Sequence, residues 1–441
     1  MKLPLSLAIA NAGDVIATGY SIDSREVTPG NLFIALKGDN VDGHDYLQQA
    51  FDRGAVAALV ERHIPAITGT QLLVADSLES LQTLATAARK RWGQTVVAVT
   101  GSAGKTSTKE NIAALLSAAI PVSKTVGNFN NHIGLPLSVL RIDDASKAAV
   151  LEMGMNHGGE ITLLCEIAKP EIGVVTNVGF AHVENFDGIE GIAAAKRELV
   201  ESLPHNGVAI LNADDPRVAR FADGFAGTKE SFGFSEAAKT RATHVSYSTY
   251  GADFIIDGQT FHSQVPGRIG VLNIAAGVAV ARLWGIPLRH LSDAAHQIEL
   301  PKMRTERIER DGITIWNDCY NSNPDAAKAM LDLVRDTAPG RRVAVLGEMR
   351  ELGHWAEPLH AELGLYAAES GFSVLLGIRG AARFTVETAM RAGLSARAAC
   401  FFEAPEEAGT YLKEIARSGD TILFKGSRGT RVELALERFL A

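Results

Sequence analysis

Cysteine is scarce in this chain: three residues in 441, at positions 165, 319 and 400. An odd number at those spacings excludes a disulfide framework and fits no zinc-ligand pattern. It reads as reduced, mostly buried thiols. Basic charge is in deficit as well. The 43 Lys and Arg face 51 Asp and Glu, a net charge of −8, which argues against a general nucleic-acid binder because that function needs a basic face. A local basic pocket for an anionic small molecule stays open. Long apolar runs are missing too. None approaches the roughly 20 residues that span a bilayer, so no membrane insertion is expected. The N-terminal "MKLPLSLAIANAGDV" has one Lys and a short apolar patch broken by Asn11, Gly13 and Asp14, unlike the long apolar stretch of a signal peptide. A cytoplasmic protein is expected.

With 46% hydrophobic and 21% charged residues, the chain has the composition of a globular protein. Its length exceeds one core and suggests about three domains. Up to about residue 85 there are short strand-like runs, "NLFIALKG", "AVAALVE" and "QLLVAD", around one helix-like segment, "HDYLQQAFDRGA". "SLESLQTLATAARKRW" reads as a helix leading into the next unit. From about 95 to 300 strands alternate with helices: "TVVAVT", "AAVLEMG", "IGVVTNV" and "GVAILNADD" are strands, and the helices include "KTSTKENIAALLSAA", "GIEGIAAAKRELVESL" and "RVARFA". That alternation implies α/β architecture with a parallel sheet covered on both faces. Residues 240 to 265 look like a small antiparallel patch, and "VLNIAAGVAVARLWG" like a helix. After Glu299, Leu300 and Pro301 a second alternating unit begins, with strands "GITIWND", "RRVAVLGEM", "FSVLLGI", "AACFF" and "DTILFKG".

The segment "VTGSAGKTST", residues 99 to 108, joins a strand to a helix. The general phosphate-loop pattern wants Gly, four residues, then Gly-Lys-Ser/Thr, yet Val99 stands where the first Gly belongs. The physical requirements are still met. Gly101 and Gly104 let backbone approach an anion, the helix N-terminus offers free N–H groups, Lys105 supplies a point charge, and the Thr106 hydroxyl suits Mg²⁺. Glu152 in "LEMGMNHGGEI" ends a strand, the edge at which open α/β sheets bind ligands. His182 in "TNVGFAHVENF" lies just beyond the next strand, and Lys196 in "GIAAAKRELV" sits on a packed, Ala-rich helix face. Asp318, Asn321 and Asn323 follow a strand in "IWNDCYNSNPDA". An Asp there suits ribose hydroxyls, and Asn323 before Pro324 suits a helix cap. Lys425, Ser427 and Arg428 in "LFKGSRGTRVE" suit a carboxylate or phosphate, or else form an exposed basic turn.

These pieces, with "DSREVTPGNLFIALKG", "DGHDY", "GNFNNHIGLPLSVL" and "VLGEMRELG", run from residue 23 to about 430. In this combination the chain resembles the Mur ligases, the ATP-dependent amide-forming enzymes of peptidoglycan synthesis. The loop "TGSAGKTST" is similar to that family's own phosphate loop, which accounts for its spacing. The resemblance implies three domains: residues 1–85 for the UDP-sugar, 86–300 a central ATP-binding domain, and 301–441 a Rossmann-like ligase domain. It implies addition of D-alanyl-D-alanine to a UDP-N-acetylmuramoyl-tripeptide through an acyl phosphate, by a monomer. It implies that Gly101, Ser102, Ala103, Gly104, Lys105, Thr106 and Ser107, with Asn273, Arg304 and Asp318, hold ATP. Thr106 and Glu152 would share one Mg²⁺, with His182 and a carbamylated Lys196 at a second. Asn128, Asn130 and Asn131 would lie near the reacting centre, and Ser24 and Arg25 near the UDP-sugar. Asn321, Lys425, Ser427 and Arg428 would meet substrate.

One segment departs from the family. Its members carry His-Asn, two residues, then Asn where the chain approaches adenine. Here Ile269 and Gly270 take the first two places and only Asn273 matches, so weaker discrimination among purine triphosphates is expected. The nearest rival is the sister ligase that adds the third peptide residue, whose Asp-Asn-Pro-Arg tetrapeptide is absent. Folate-polyglutamate ligases leave "DSREVTPGNLF" unexplained. A non-catalytic nucleotide-binding protein is disfavoured by the joint presence of Lys105, Glu152, His182 and Lys196.

Overall fold

A computed structural model of the chain describes residues 1–298 and 302–441. The expected boundary at Glu299, Leu300 and Pro301 lies outside the described residues. Three larger sheets follow one another along the chain, the second and third where strands alternate with helices in the sequence. The first is four-stranded and wholly parallel, in the order Gly19–Ser21, Asn31–Ile34, Ala57–Val60, Gln71–Leu73. Its helix-like segment is mostly a turn: Gly43–Tyr46 is a 3₁₀ helix and only Leu47–Asp52 is α-helical. The helix Ser77–Trp92 follows. Asp76 caps it by accepting from Glu79 N at 2.7 Å, and Gly93 ends it at φ 65°, a left-handed turn that glycine adopts without strain. It crosses position 85 and packs on the helices Gly134–Leu140 and Glu160–Ala168 of the next unit.

The central sheet has seven strands, all parallel, in the order Thr240–Arg241, Thr228–Gly233, Val208–Asn212, Ile172–Val175, Thr95–Thr100, Ala148–Glu152, Val122–Lys124. The middle strands are near-continuous apolar runs because helices cover both faces. On one face the phosphate-loop helix Lys105–Ser117 packs along Gly267–Ala281, filling a core with Leu115, Leu116, Val271, Ile274 and Val278. The stretch Gly267–Trp284 has mean hydropathy 1.2 and, among the described residues, is the helical segment long and apolar enough to cross a bilayer; 67% of it is buried within the chain. It is apolar on all sides because it lies between the sheet, a helix and the antiparallel patch Thr243–Ser248, Gly251–Ile256, Gln259–Ser263.

The last sheet has six strands, in the order Glu306–Arg310, Ile313–Asp318, Thr421–Lys425, Arg342–Gly347, Val374–Ile378, Ala399–Phe402. Only the first is antiparallel to its neighbour. It does not stand out in sequence because "ERIER" is an edge strand whose charged side chains remain partly in water. Segment "RVARFA" forms a 3₁₀ turn, Val218–Arg220, rather than a helix. Truncating Leu115, fully buried where the phosphate-loop helix meets Gly267–Ala281, to Ala should cost about 2–5 kcal/mol of stability. Chemical denaturation followed by circular dichroism measures it.

Candidate active site

The carboxyl ends of the central strands and the facing edge of the last sheet enclose a cavity of about 910 Å³. The phosphate loop forms its floor. Gly101, at φ 149°, lies so close to Thr176 that an added Cβ would sit 1.9 Å from the Thr176 hydroxyl. The turn after strand Ile172–Val175 fixes the loop from behind. Asn177 O accepts from Ser102 N at 3.0 Å, Asn177 Oδ1 accepts from Ala103 N at 2.8 Å, and Thr176 Oγ1 donates to Ala103 O at 2.7 Å. Ser102 Oγ donates to Gly179 O and accepts from Gly179 N, at 2.9 and 2.8 Å. Thus Ser102 and Ala103, expected as nucleotide contacts, spend these groups on shaping the loop. The first-turn N–H groups after Gly104, those of Lys105, Thr106 and Ser107, have no partner within the helix and line the cavity.

Lys105 is the first residue of its helix and is half-buried, not on the solvent side of the loop. Its Nζ donates to Gly101 O at 2.9 Å. Burial lowers its pKa, and the charge of Arg304 lowers it further against the pull of Glu152 and Glu351. Glu152, 2% exposed at the end of its strand, is held from two sides: Thr106 Oγ1 donates to Oε2 and Asn130 Nδ2 to Oε1, both at 2.8 Å. Asn131 Oδ1 accepts from Gly134 N at 2.8 Å and so caps the next helix, while Asn128 lies exposed on the cavity wall.

His182 lines the cavity in a left-handed backbone conformation, φ 61°. Its Nδ1 lies 2.6 Å from Glu351 Oε2 of the last sheet's unit, an ion-pair distance off line for a hydrogen bond. The contact holds the Glu351 carboxyl below the usual range. Glu351 is itself at φ 64°. Two further bonds dock the same unit: Asn323 Nδ2 donates to Ser102 O at 3.1 Å, and Asp325 Oδ2 accepts from Phe180 N at 2.9 Å. Asn323 also caps the helix Pro324–Thr337, as its place before proline suggested.

The structure places the remaining sequence candidates as follows. Lys196 is 2% exposed and is not part of the cavity wall; burial and then the Lys105 ammonium push its pKa well below the ordinary lysine range. Lys425 is no exposed cation. It is 2% exposed, ion-paired with Asp318, and donates to Asn321 O at 2.9 Å. The other Asp318 oxygen accepts from Thr305 N at 2.8 Å, and Asp318 lines the cavity. Ser427 is buried and accepts from Arg350 N at 2.9 Å, and Arg428 pairs with Glu433 at 2.9 Å. Asn321 lines the cavity and accepts from Ser322 N. Arg304 lines it with its guanidinium 4.0 Å from the Tyr320 ring centre. Ser24 is buried, donating to Gln49 Oε1 at 2.6 Å, and Arg25 pairs with Asp23; neither lines this cavity. Asn273 does, accepting from Thr108 Oγ1 at 2.9 Å, with its Nδ2 unpartnered. At Gly270 a Cβ would lie 2.0 Å from Val265 O, so the polar side chain of the family pattern has no room there. Sequence reading missed Thr176, Asn177, Asp325, Arg350 and Glu351; for the last two the signal was present in "VLGEMRELG".

A phosphate loop opening a parallel sheet, with a second open sheet docked over it, defines a multidomain nucleotide-binding enzyme of the phosphate-loop class. Three family models match: Mur ligase family, catalytic domain over residues 17–126, Mur ligase middle domain over 99–281, and Mur ligase, glutamate ligase domain over 303–428. The chain belongs to the Mur ligase family. It is 36% identical to the UDP-N-acetylmuramoyl-tripeptide–D-alanyl-D-alanine ligase of Bacillus subtilis, over 97% of this chain and 94% of that one. It is 34% identical to the ligase of the same name from Escherichia coli, over 95% and 93%. Among solved structures, MurF from Acinetobacter baumannii superposes with a TM-score of 0.91 at 29% identity, covering 99% of this chain and 98% of that one. MurF ligase from Thermotoga maritima in complex with ADP gives 0.83 at 31%, covering 96% of each.

Lys105→Ala should leave the circular dichroism spectrum intact and lower the turnover rate about 10²- to 10³-fold, the usual cost of removing one charge-stabilising donor. With Ile269 and Gly270 offering no polar group to the base, GTP should be rejected by less than about 10⁴ relative to ATP, measured as the ratio of kcat/KM values.

Proposed function

We propose that this chain joins D-alanyl-D-alanine to a UDP-N-acetylmuramoyl-tripeptide at the expense of ATP. The observation that carries the reading is the juxtaposition of Lys105, Thr106, Glu152 and His182 in one cavity, roofed by the sheet that carries Glu351. The names of the relatives from Bacillus subtilis and Escherichia coli supply the substrates. A carboxylate is a poor electrophile. Its oxygen therefore attacks the γ-phosphorus of ATP, the bond to the β-phosphate oxygen breaks, and ADP leaves. The amine of the dipeptide then attacks the acyl carbon, and inorganic phosphate departs with the electrons of the acyl C–O bond. Lys105 and the helix N-terminus hold the triphosphate against its own charge. Docking through Asn323, Asp325 and Glu351 shuts water from the acyl phosphate.

Thr106 and Glu152 fit Mg²⁺, since a hydroxyl and a carboxylate are the hard oxygen donors it takes; bound there, it neutralises developing phosphate charge. The second expected set fits less directly. His182 and a plain Lys196 bring no oxygen, and among the described residues no group of three or more His, Cys, Asp or Glu stands together as a metal site. A carbamate on Lys196 would supply the missing oxygen donor. Burial without a carboxylate partner favours the neutral amine, which takes up CO₂ and becomes an oxygen-bearing anion. We further assign residues 1–85 to the UDP-sugar, with Ser24 and Arg25 at that end. The chain would act as a monomer in the cytoplasm, as its sequence suggested.

ADP release should require the nucleotide-tripeptide and the dipeptide together, and single amino acids should not replace the dipeptide; a coupled ADP assay reads both. Lys196→Ala should be nearly inactive, and formate or acetate should restore part of the rate, whereas alkylamines should not.

A further inference from the structure

The incoming dipeptide carries a carboxylate that must be held while its amine attacks, and the residues read as basic from sequence already have acidic partners. The cavity's cations are nearly all committed. Lys425 is ion-paired with Asp318, and Arg428 lies 2.9 Å from Glu433. Arg268 lies 2.9 Å from Asp214 and Arg217 2.8 Å from Glu190. Lys105 serves the phosphate loop. Arg304 has no carboxylate partner among the described residues, but its guanidinium is stacked on the Tyr320 ring, 4.0 Å from the ring centre. Arg350 remains. Its nearest carboxylate oxygen, on Glu348, is 3.9 Å away, beyond a hydrogen bond, and its side chain is 59% exposed on the cavity wall.

The surroundings aim this residue. Arg350 N donates to the buried Ser427 hydroxyl at 2.9 Å, and Met349 N donates to His360 Nε2 at 2.9 Å, so the backbone on which it stands is fixed. The guanidinium lies against Gly429, where a Cβ would come within 2.1 Å of its Nη1. The next residue, Glu351, touches His182 at 2.6 Å. Arg350 thus stands one residue away from the reacting end of the cavity.

We propose that Arg350 binds the terminal carboxylate of the incoming dipeptide and so selects for a free C-terminus. The assignment rests on the ligase reading above. A planar guanidinium meets a carboxylate through two parallel N–H donors, which neither lysine of the cavity offers. Gly429 acts through Arg350, by leaving its guanidinium room, and is a positioning residue.

The test compares D-alanyl-D-alanine with its C-terminal amide on the wild-type protein, Arg350→Met and Gly429→Ala. Wild-type turnover of the free dipeptide checks the reaction itself, and its absence overturns both readings. Amide discrimination checks Arg350. In the wild type the amide should raise KM for the dipeptide about 10- to 100-fold, the range for a hydrogen bond to a charged group. Arg350→Met should raise KM for the free dipeptide by a similar factor, remove the discrimination, and leave KM for ATP and for the UDP-tripeptide unchanged. Gly429→Ala should lose part of the discrimination with the thermal midpoint unchanged. Equal discrimination by wild type and Arg350→Met, or a loss that falls on the acceptor or on ATP, overturns the inference and leaves the reaction standing.

Discussion

The phosphate loop keeps its shape because the turn at residues 176–179 grips it from behind. A loop of small residues has little side-chain packing of its own, and its backbone groups need partners when buried. Asn177 and Thr176 supply them to Ser102 and Ala103, and Gly179 exchanges two bonds with the Ser102 hydroxyl. These bonds leave the next helix turn, Lys105 to Ser107, free to face an anion. Because the two adjacent strands Thr95–Thr100 and Ile172–Val175 run parallel in register, both loops emerge at the same sheet edge. The geometry of the cleft follows from that pairing.

The same turn passes the shape on to the last domain. Phe180 N, one residue beyond Gly179, donates to Asp325, and Ser102 O accepts from Asn323. The helix Pro324–Thr337 therefore begins at the phosphate loop. Burial raises the Asp325 pKa while the Phe180 amide opposes the shift, the mark of a carboxylate taken out of water for a specific contact. His182 and Glu351 complete the docking with two non-glycine residues in left-handed backbone. Such conformations cost energy and persist only where the surroundings enforce them.

Charge in this cleft is arranged by pairing more than by number. The chain is acidic overall, yet seven Lys and Arg side chains line one cavity. Most are neutralised by a carboxylate within the protein, so the field reaching a ligand comes from the few that are not. Lys105, Arg304 and Arg350 are the cavity cations without a hydrogen-bonded carboxylate. Glu152 is the converse case: a buried carboxylate made tolerable by the hydroxyl and amide donors of Thr106 and Asn130.

Much of this molecule is set by local sequence. Strand-helix alternation fixes an α/β fold, apolar runs mark the covered strands, and Gly101, Gly104, Lys105 and Thr106 mark a phosphate loop by themselves, because loop geometry depends on residues adjacent in the chain. Asn323 before Pro324 likewise announces a cap. The edge strand Glu306–Arg310 stayed hidden because half of it faces water and shows no apolar period. Which cations are free was also beyond sequence. "LFKGSRGTR" reads as a basic turn, and only the fold brings Asp318 to Lys425. Asp318 lies more than a hundred residues from Lys425. A charge's availability depends on what stands within a few ångströms of it, and across such sequence distances that is decided by tertiary structure alone.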